Sequence, residues 1–191
     1  MPDVLSEPTR TGAAHSPQID RALQYWQELR RTRAVPARAE IDPIALRPYL
    51  GHSGVVERSS EGHVTLRVAG QRVRDIVQVD PRGLALSDMF DPADRGRLHH
   101  LLSQMFDTPA LLTMTLDADD AESGLTRLAL MPLRDTSGII SRALMVLTPG
   151  DGPQAGLFRI GAAHVTPTRG AAPGVRGAER PYLRVIEGGR A

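Results

Sequence analysis

A chain of 191 residues that is 41% hydrophobic, with a formal net charge of +1, is long enough for one good core and short for two full domains. It also lacks the excess charge that steers polyanions. All 23 basic residues are arginine, which leaves no lysine for a Schiff base or a phosphate loop, and the absence of cysteine removes disulfides, thiolate nucleophiles, zinc-thiolate sites and cysteine-linked chromophores.

In chain order, residues 1–15 are small, polar or helix-breaking types and read as a flexible leader. They lack the charged-then-apolar pattern of a secretory signal, and no apolar run approaches the roughly 20 residues that span a bilayer. A soluble, cytoplasmic protein is expected. Residues 16–50 read as a helical extension. Ile19, Ala22, Leu23, Trp26 and Leu29 recur at helical spacing on one face, with Arg30, Arg31 and Arg33 at the favourable C-terminal end. Such a face needs a partner surface. Packing on its own domain is the commoner solution; a homodimer contact through Ile19, Leu23, Trp26 and Leu29 is the other. Pro36 closes this helix, and Asp42-Pro43 predicts a short second one within 41–50.

A core follows over 51–148. Residues 52–57 and 63–69 read as strands joined by a Glu61-Gly62 turn, the second alternating Val64, Leu66 and Val68 with Thr65 and Arg67. Gly70 breaks that strand, and QRVRDIV gives a short helix that Asp80-Pro81 closes. In SDMFDPADRGRLHH, at 87–100, Asp91 is placed to accept the free amides of a first helical turn. Pro92 fits the first helical position, and the charge of Asp94 favours the helix N-terminus. Leu98, Leu101, Leu102, Met105 and Phe106 line one side of that helix. Three further strands are predicted at 110–116, 125–133 and 142–148, separated by polar turns that contain glycine. Two strands, helices and three strands are the order of an α+β fold, one antiparallel sheet with helices grouped on one face.

From 149 onward the composition changes. Eleven of the thirty residues at 149–178 are Gly or Pro, above the roughly 25–30% typical of disordered chains, so 149–191 reads as a mostly disordered Gly/Pro/Arg-rich tail. Only PYLRVI at 181–186 regains strand-like residues suited to docking on a sheet edge. The tail arginines 159, 169, 176, 180, 184 and 190 outnumber Asp151, Glu179 and Glu187, but few aromatics accompany them, which argues against nucleic acid.

VRDIVQVDPRGLALSDMFDPADRGRLHHLL resembles the helical centre of PAS domains. There a short helix leads to a Gly-containing turn, a hydrophobic stretch and a Pro-Asp helix start followed by Arg and Leu. Gly83, Leu86, Phe90, Pro92, Asp94, Arg95 and Leu98 are the matching positions. YWQELRR at 25–31 and the LRVAGQRV strand-to-helix join are similar to a subgroup of short stand-alone bacterial PAS proteins with an N-terminal amphipathic helix. The resemblance covers 17–148. It implies a five-stranded antiparallel sheet of order 2-1-5-4-3, with helices on one face, often a ligand cavity between them, and the N-terminal helix in front. It also implies a non-enzymatic sensory or signalling protein that binds a small apolar ligand and relays its state through homodimer or partner contacts. A ligand-free protein-protein interaction adaptor is the alternative. Output is expected to pass to a downstream signalling protein in trans, with no membrane contact.

Haem-binding PAS sensors carry a proximal histidine on the helix after the Pro-Asp start. In the register of Asp94-Arg95 the matching position is Leu98, and His99 is one residue and about 100 degrees away, which argues against haem. His99 and His100 diverge by the same angle and lack the spacing that lets two histidines share a metal. Covalent flavin chemistry of the LOV type needs a cysteine within GLALSDMF, which has none, and the identity of any cofactor stays open. DADDAE at 117–122 has Glu122 where a calcium loop requires Gly. GHSGV at 51–55 fails the nucleophile-elbow pattern, and no catalytic residue is expected. Met89, Met105, Met114, Met131 and Met145 all fall within the core, where flexible thioethers suit an exchangeable ligand or ordinary filling equally. From strand alternation and helix phase, Met89, Phe90, Met105, Met114 and Leu130 form the candidate pocket wall.

Overall fold

A computed structural model describes residues 16–117, 125–150 and 156–168. The leader at 1–15, most of the acidic hairpin at 117–122, PYLRVI at 181–186 and the tail arginines beyond 168 lie outside the described residues.

The sheet contains β1 (Ser53–Arg58), β2 (Val64–Ala69), β3 (Ala110–Asp117), β4 (Thr126–Arg134), β5 (Ile140–Thr148) and β6 (Arg159–Pro167). Its order is β2-β1-β5-β4-β3-β6, and every neighbouring pair is antiparallel. The expected order 2-1-5-4-3 is therefore present. β6 is an addition, drawn from the segment read as tail, and it occupies the free edge of β3. The added strand is Arg159–Pro167, within a segment expected to be mostly disordered, and not the PYLRVI stretch at 181–186.

The sheet is apolar on both faces, and each face has its own cover. On one, Val56, Leu66, Met114, Leu130 and Met145 pack against Leu98, Leu102 and Met105 of α3 (Arg95–Asp107), with α2 (Gln71–Val77) beside them. On the other, Ala129, Met131, Leu133, Leu144 and Val146 pack against Ile19, Ala22 and Trp26 of α1 (Pro17–Arg30). The buried run from Leu128 to Leu133 in β4 is what a strand covered on both sides requires.

The fit of α1 shows the first of the two expected solutions, packing on its own domain. Ile19 and Trp26 are 0% exposed, and the Trp26 indole Nε1 donates to the Pro132 carbonyl at 3.0 Å. Leu23 and Leu29 are partly buried against the same cluster. Ile19 and Trp26 of that face are thus engaged by this chain's own sheet, while Leu23 and Leu29 keep part of their surface exposed. The helix also ends earlier than Pro36. Arg31 takes a positive φ of 52°, and the Arg33 guanidinium donates to the carbonyls of Leu29 and Arg30, a cationic C-terminal cap.

The short helix expected within 41–50 is absent. Asp42 does accept the Ile44 amide at 2.8 Å, but Pro48 has no amide to continue a helical ladder. The segment instead forms turns through Leu46–Asp42, Arg47–Ile44 and Tyr49–Leu46 backbone bonds. It leads into β1 close to the start of α2. A Cβ on Gly70 would collide with the carbonyl oxygens of Leu50 and Gly51, so glycine there permits the two backbones to meet.

Candidate functional site

The stretch at 87–100 does more than begin a helix. Asp91 Oδ1 accepts the Ala93 amide at 2.8 Å with Pro92 in the first position, as the sequence predicts, and a single 3-10 turn leads into α3. Asp94 makes no side-chain cap to α3. Its carboxylate still stands at the helix N-terminus, as expected, and its Oδ2 also accepts the Ile160 amide of β6 at 2.9 Å. Arg97 donates to the carbonyls of Ile160 and Gly161 at 2.8 and 3.0 Å. Two backbone bonds complete the latch, Asp91 N to Phe158 O and Phe158 N to Met89 O, each 2.9 Å. The start of α3 thereby ties the C-terminal strand to the body.

On its other side β6 pairs with β3 through a bulge between Met114 and Leu116. Thr115 Oγ1 accepts the Ala162 amide at 2.8 Å. A Cβ on Gly161 would stand 2.8 Å from that same oxygen, so the bulge requires glycine. Asp94→Ala removes the acceptor from a partly buried amide and is expected to cost about 1–3 kcal/mol. Hydrogen exchange should quicken at Ile160 and its neighbours before it changes in β4 or β5.

All five pocket candidates lie in one cluster between the sheet and α3. Met89 and Phe90 precede α3, Met105 is on it, and Met114 and Leu130 project from β3 and β4. Strand alternation and helix phase thus place these five side chains in one cluster. The space between them is filled. Phe158 of the C-terminal segment, 4% exposed, sets its ring 6.1 Å from that of Phe90 at an interplanar angle of 59°, and Ile160 follows it into the core. Phe90, Met105, Met114 and Leu130 are fully buried. Met89 borders a recess of about 250 Å³ that Ile76, Val77, Leu84 and Phe158 also line.

A larger concavity, of about 460 Å³, lies at the β2–β1 end of the sheet. α1 covers β4 and β5, and beyond it the 41–50 segment forms a wall from Ile41, Leu46 and Leu50 over Val55, Val68 and Leu144. Arg38 and Arg74 stand at this cleft, and no acidic residue lines it. Arg38 is carried on a loop held by Glu40, which accepts both Arg33 nitrogens at 2.9 and 2.8 Å and the Ala37 amide at 2.6 Å. The Arg33 guanidinium, then the Ala37 amide, hold the Glu40 carboxyl below the usual carboxylate range. Sequence reasoning missed this cleft.

Beneath the same segment Tyr49 is buried, and its hydroxyl has no hydrogen-bond partner among the described residues. Burial, with Tyr25 and Glu28 nearby, pushes the phenol up to about 12. Because burial opposes ionisation of this phenol, the fold loses stability as pH rises from the unfolded value, about 10, toward the folded one. Tyr49→Phe is expected to raise stability by about 1 kcal/mol, because a buried hydroxyl without a partner is a cost. It should also delete the late step in an ultraviolet titration of the native protein.

His99 and His100 are exposed on α3, while Leu98 faces the core. Among the described residues no three side chains of His, Cys, Asp or Glu converge as a metal site, and no helix is long and apolar enough to cross a membrane.

An antiparallel sheet of this order, with short helices and α3 packed on one face and an N-terminal helix on the other, defines a class of α+β sensory domains. A family model described as "PAS domain" matches residues 14–148, and the chain belongs to that family. The family indicates a sensory or signalling role. A search of curated proteins finds no match to the chain.

Proposed function

We propose that the protein is a non-catalytic PAS signalling protein in which β6 is the element that reports the state of the core. The observation that carries this reading is Phe158. It sits in the cluster where PAS ligands are expected, and it belongs to a strand latched to α3 by Asp94 and Arg97. A small apolar ligand at the recess beside Met89 competes with Phe158 for the same contacts. Its arrival loosens β6, and a separate partner protein reads the strand.

Native mass spectrometry and an absorption spectrum of the freshly purified protein test the reading, together with hydrogen exchange before and after solvent extraction. A bound apolar molecule whose removal slows exchange across β6 supports it. An empty protein whose β6 exchange is unchanged by extraction overturns it in favour of a ligand-free adaptor. That second reading draws on a different feature, the exposed apolar side chains Ile44 (77%) and Val68 (56%).

A further inference from the structure

We propose that the cleft at the β2–β1 end of the sheet is a binding site for an acyl carboxylate, with its chain on the apolar floor and its carboxylate at Arg38 and Arg74. The site is separate from the Phe158 region, since the floor residue Leu144 belongs to the cluster on the α1 face of the sheet. The volume, about 460 Å³, falls within the range of small-molecule sites, roughly 300–1,000 Å³.

Three observations define the ligand chemistry. The first is the floor, where Val55, Val68 and Leu144 present side-by-side aliphatic groups from three adjacent strands. Val68 stays 56% exposed on it, which leaves apolar surface for a chain to cover. The second is charge. Both ionic side chains at the cleft are arginines, so their field selects an anion. Arg74 donates to Gln71, whereas Arg38 has no hydrogen-bond or ion-pair partner among the described residues. A guanidinium beside an apolar wall, with its donors unused, matches a carboxylate in geometry and charge.

The third is a fixed shape. Gly70 lets the Leu50-Gly51 backbone abut the start of α2, and the Arg33–Glu40 pair braces the loop that bears Arg38. Both walls are held without a ligand, so binding costs little ordering. A concavity of this size suits a single chain better than the broad surface of a protein partner.

Calorimetric titration of the full chain with sodium decanoate below its micelle concentration tests the proposal, with decanol as the uncharged probe and methyl NMR to place the site. Decanoate should bind and shift the methyl signals of Val55, Val68 and Leu144. Decanol should bind about tenfold or more weakly, the loss expected for one charge-assisted contact. Arg38→Gln should weaken decanoate by a similar factor with an unchanged thermal midpoint, because Arg38 supports no other group. Arg38→Gln/Arg74→Gln should weaken it further.

No decanoate binding by the parent protein overturns the proposal. So does equal affinity in the double variant, or a set of shifts confined to Met89, Met105 and Met114. That last outcome would locate the chain at the Phe158 recess, so the two sites are told apart.

Discussion

Trp26→Ala is expected to lower stability by about 3–5 kcal/mol, the usual cost of truncating a large buried aromatic. Urea denaturation followed by circular dichroism measures it. The indole is fully buried, donates to Pro132 across the sheet and lies beneath the Arg30 guanidinium, 5.6 Å from the ring centroid. Removing it opens a cavity against Met131 and Leu144 and leaves the Pro132 carbonyl without that donor. Trp26→Glu should be worse, since it places a charge where water cannot follow. Were α1 a dimer contact, either change would yield a folded monomer of nearly full stability, and that result would overturn the packing described for α1.

Phe158→Ala carries the second large effect, about 3 kcal/mol or more on the same grounds. It removes the ring that meets Phe90, while Asp94 and Arg97 still hold Ile160. The loss should therefore be local. Amides from Arg159 to Thr166 should exchange faster by a larger factor than those of β4 and β5, which are flanked by strands on both sides. Unchanged protection across β6 would mean that the hydrogen-bonded latch alone fixes the strand, and the reporting role assigned to Phe158 would fail with it.

Elements governed by local periodicity could be read from the sequence. Val64 and Leu66 alternate into the core as written, Asp91-Pro92 begins a helix, and Leu98, Leu101, Leu102, Met105 and Phe106 form its buried stripe. That β4 is covered on both faces, by α1 on one of them, emerged only from the structure. β6 was hidden for a physical reason. Phe158 and Ile160 alternate, but the bulge at Gly161-Ala162 shifts Ala163 and Val165 out of phase, and Pro and Gly around them mimic a disordered composition. The bond from Ile160 to Asp94 could not be foreseen because its two ends are 66 residues apart, a relation that leaves no local pattern. Met89, Met105, Met114 and Met145 lie in the central cluster, whereas Met131 packs on the α1 face, and none of them signals that Phe158 joins that cluster. The outer cleft depends on where α1 stops covering the sheet, which is a property of the assembled fold.

The pairing of β6 with β3 has a consequence for how the molecule coexists with its own copies. At the opposite margin, β2 is shielded where Leu66 exchanges bonds with Gly83 and Leu84. Without β6, the eight-residue β3 would offer a bare row of amides and carbonyls, a template for runaway strand addition between molecules. β6 replaces it with a margin bearing exposed Arg159 and His164 and ending at Pro167, features that resist further growth. The same strand that we assign to reporting thus guards against polymerisation, so any signal that frees it fully exposes the protein to that hazard.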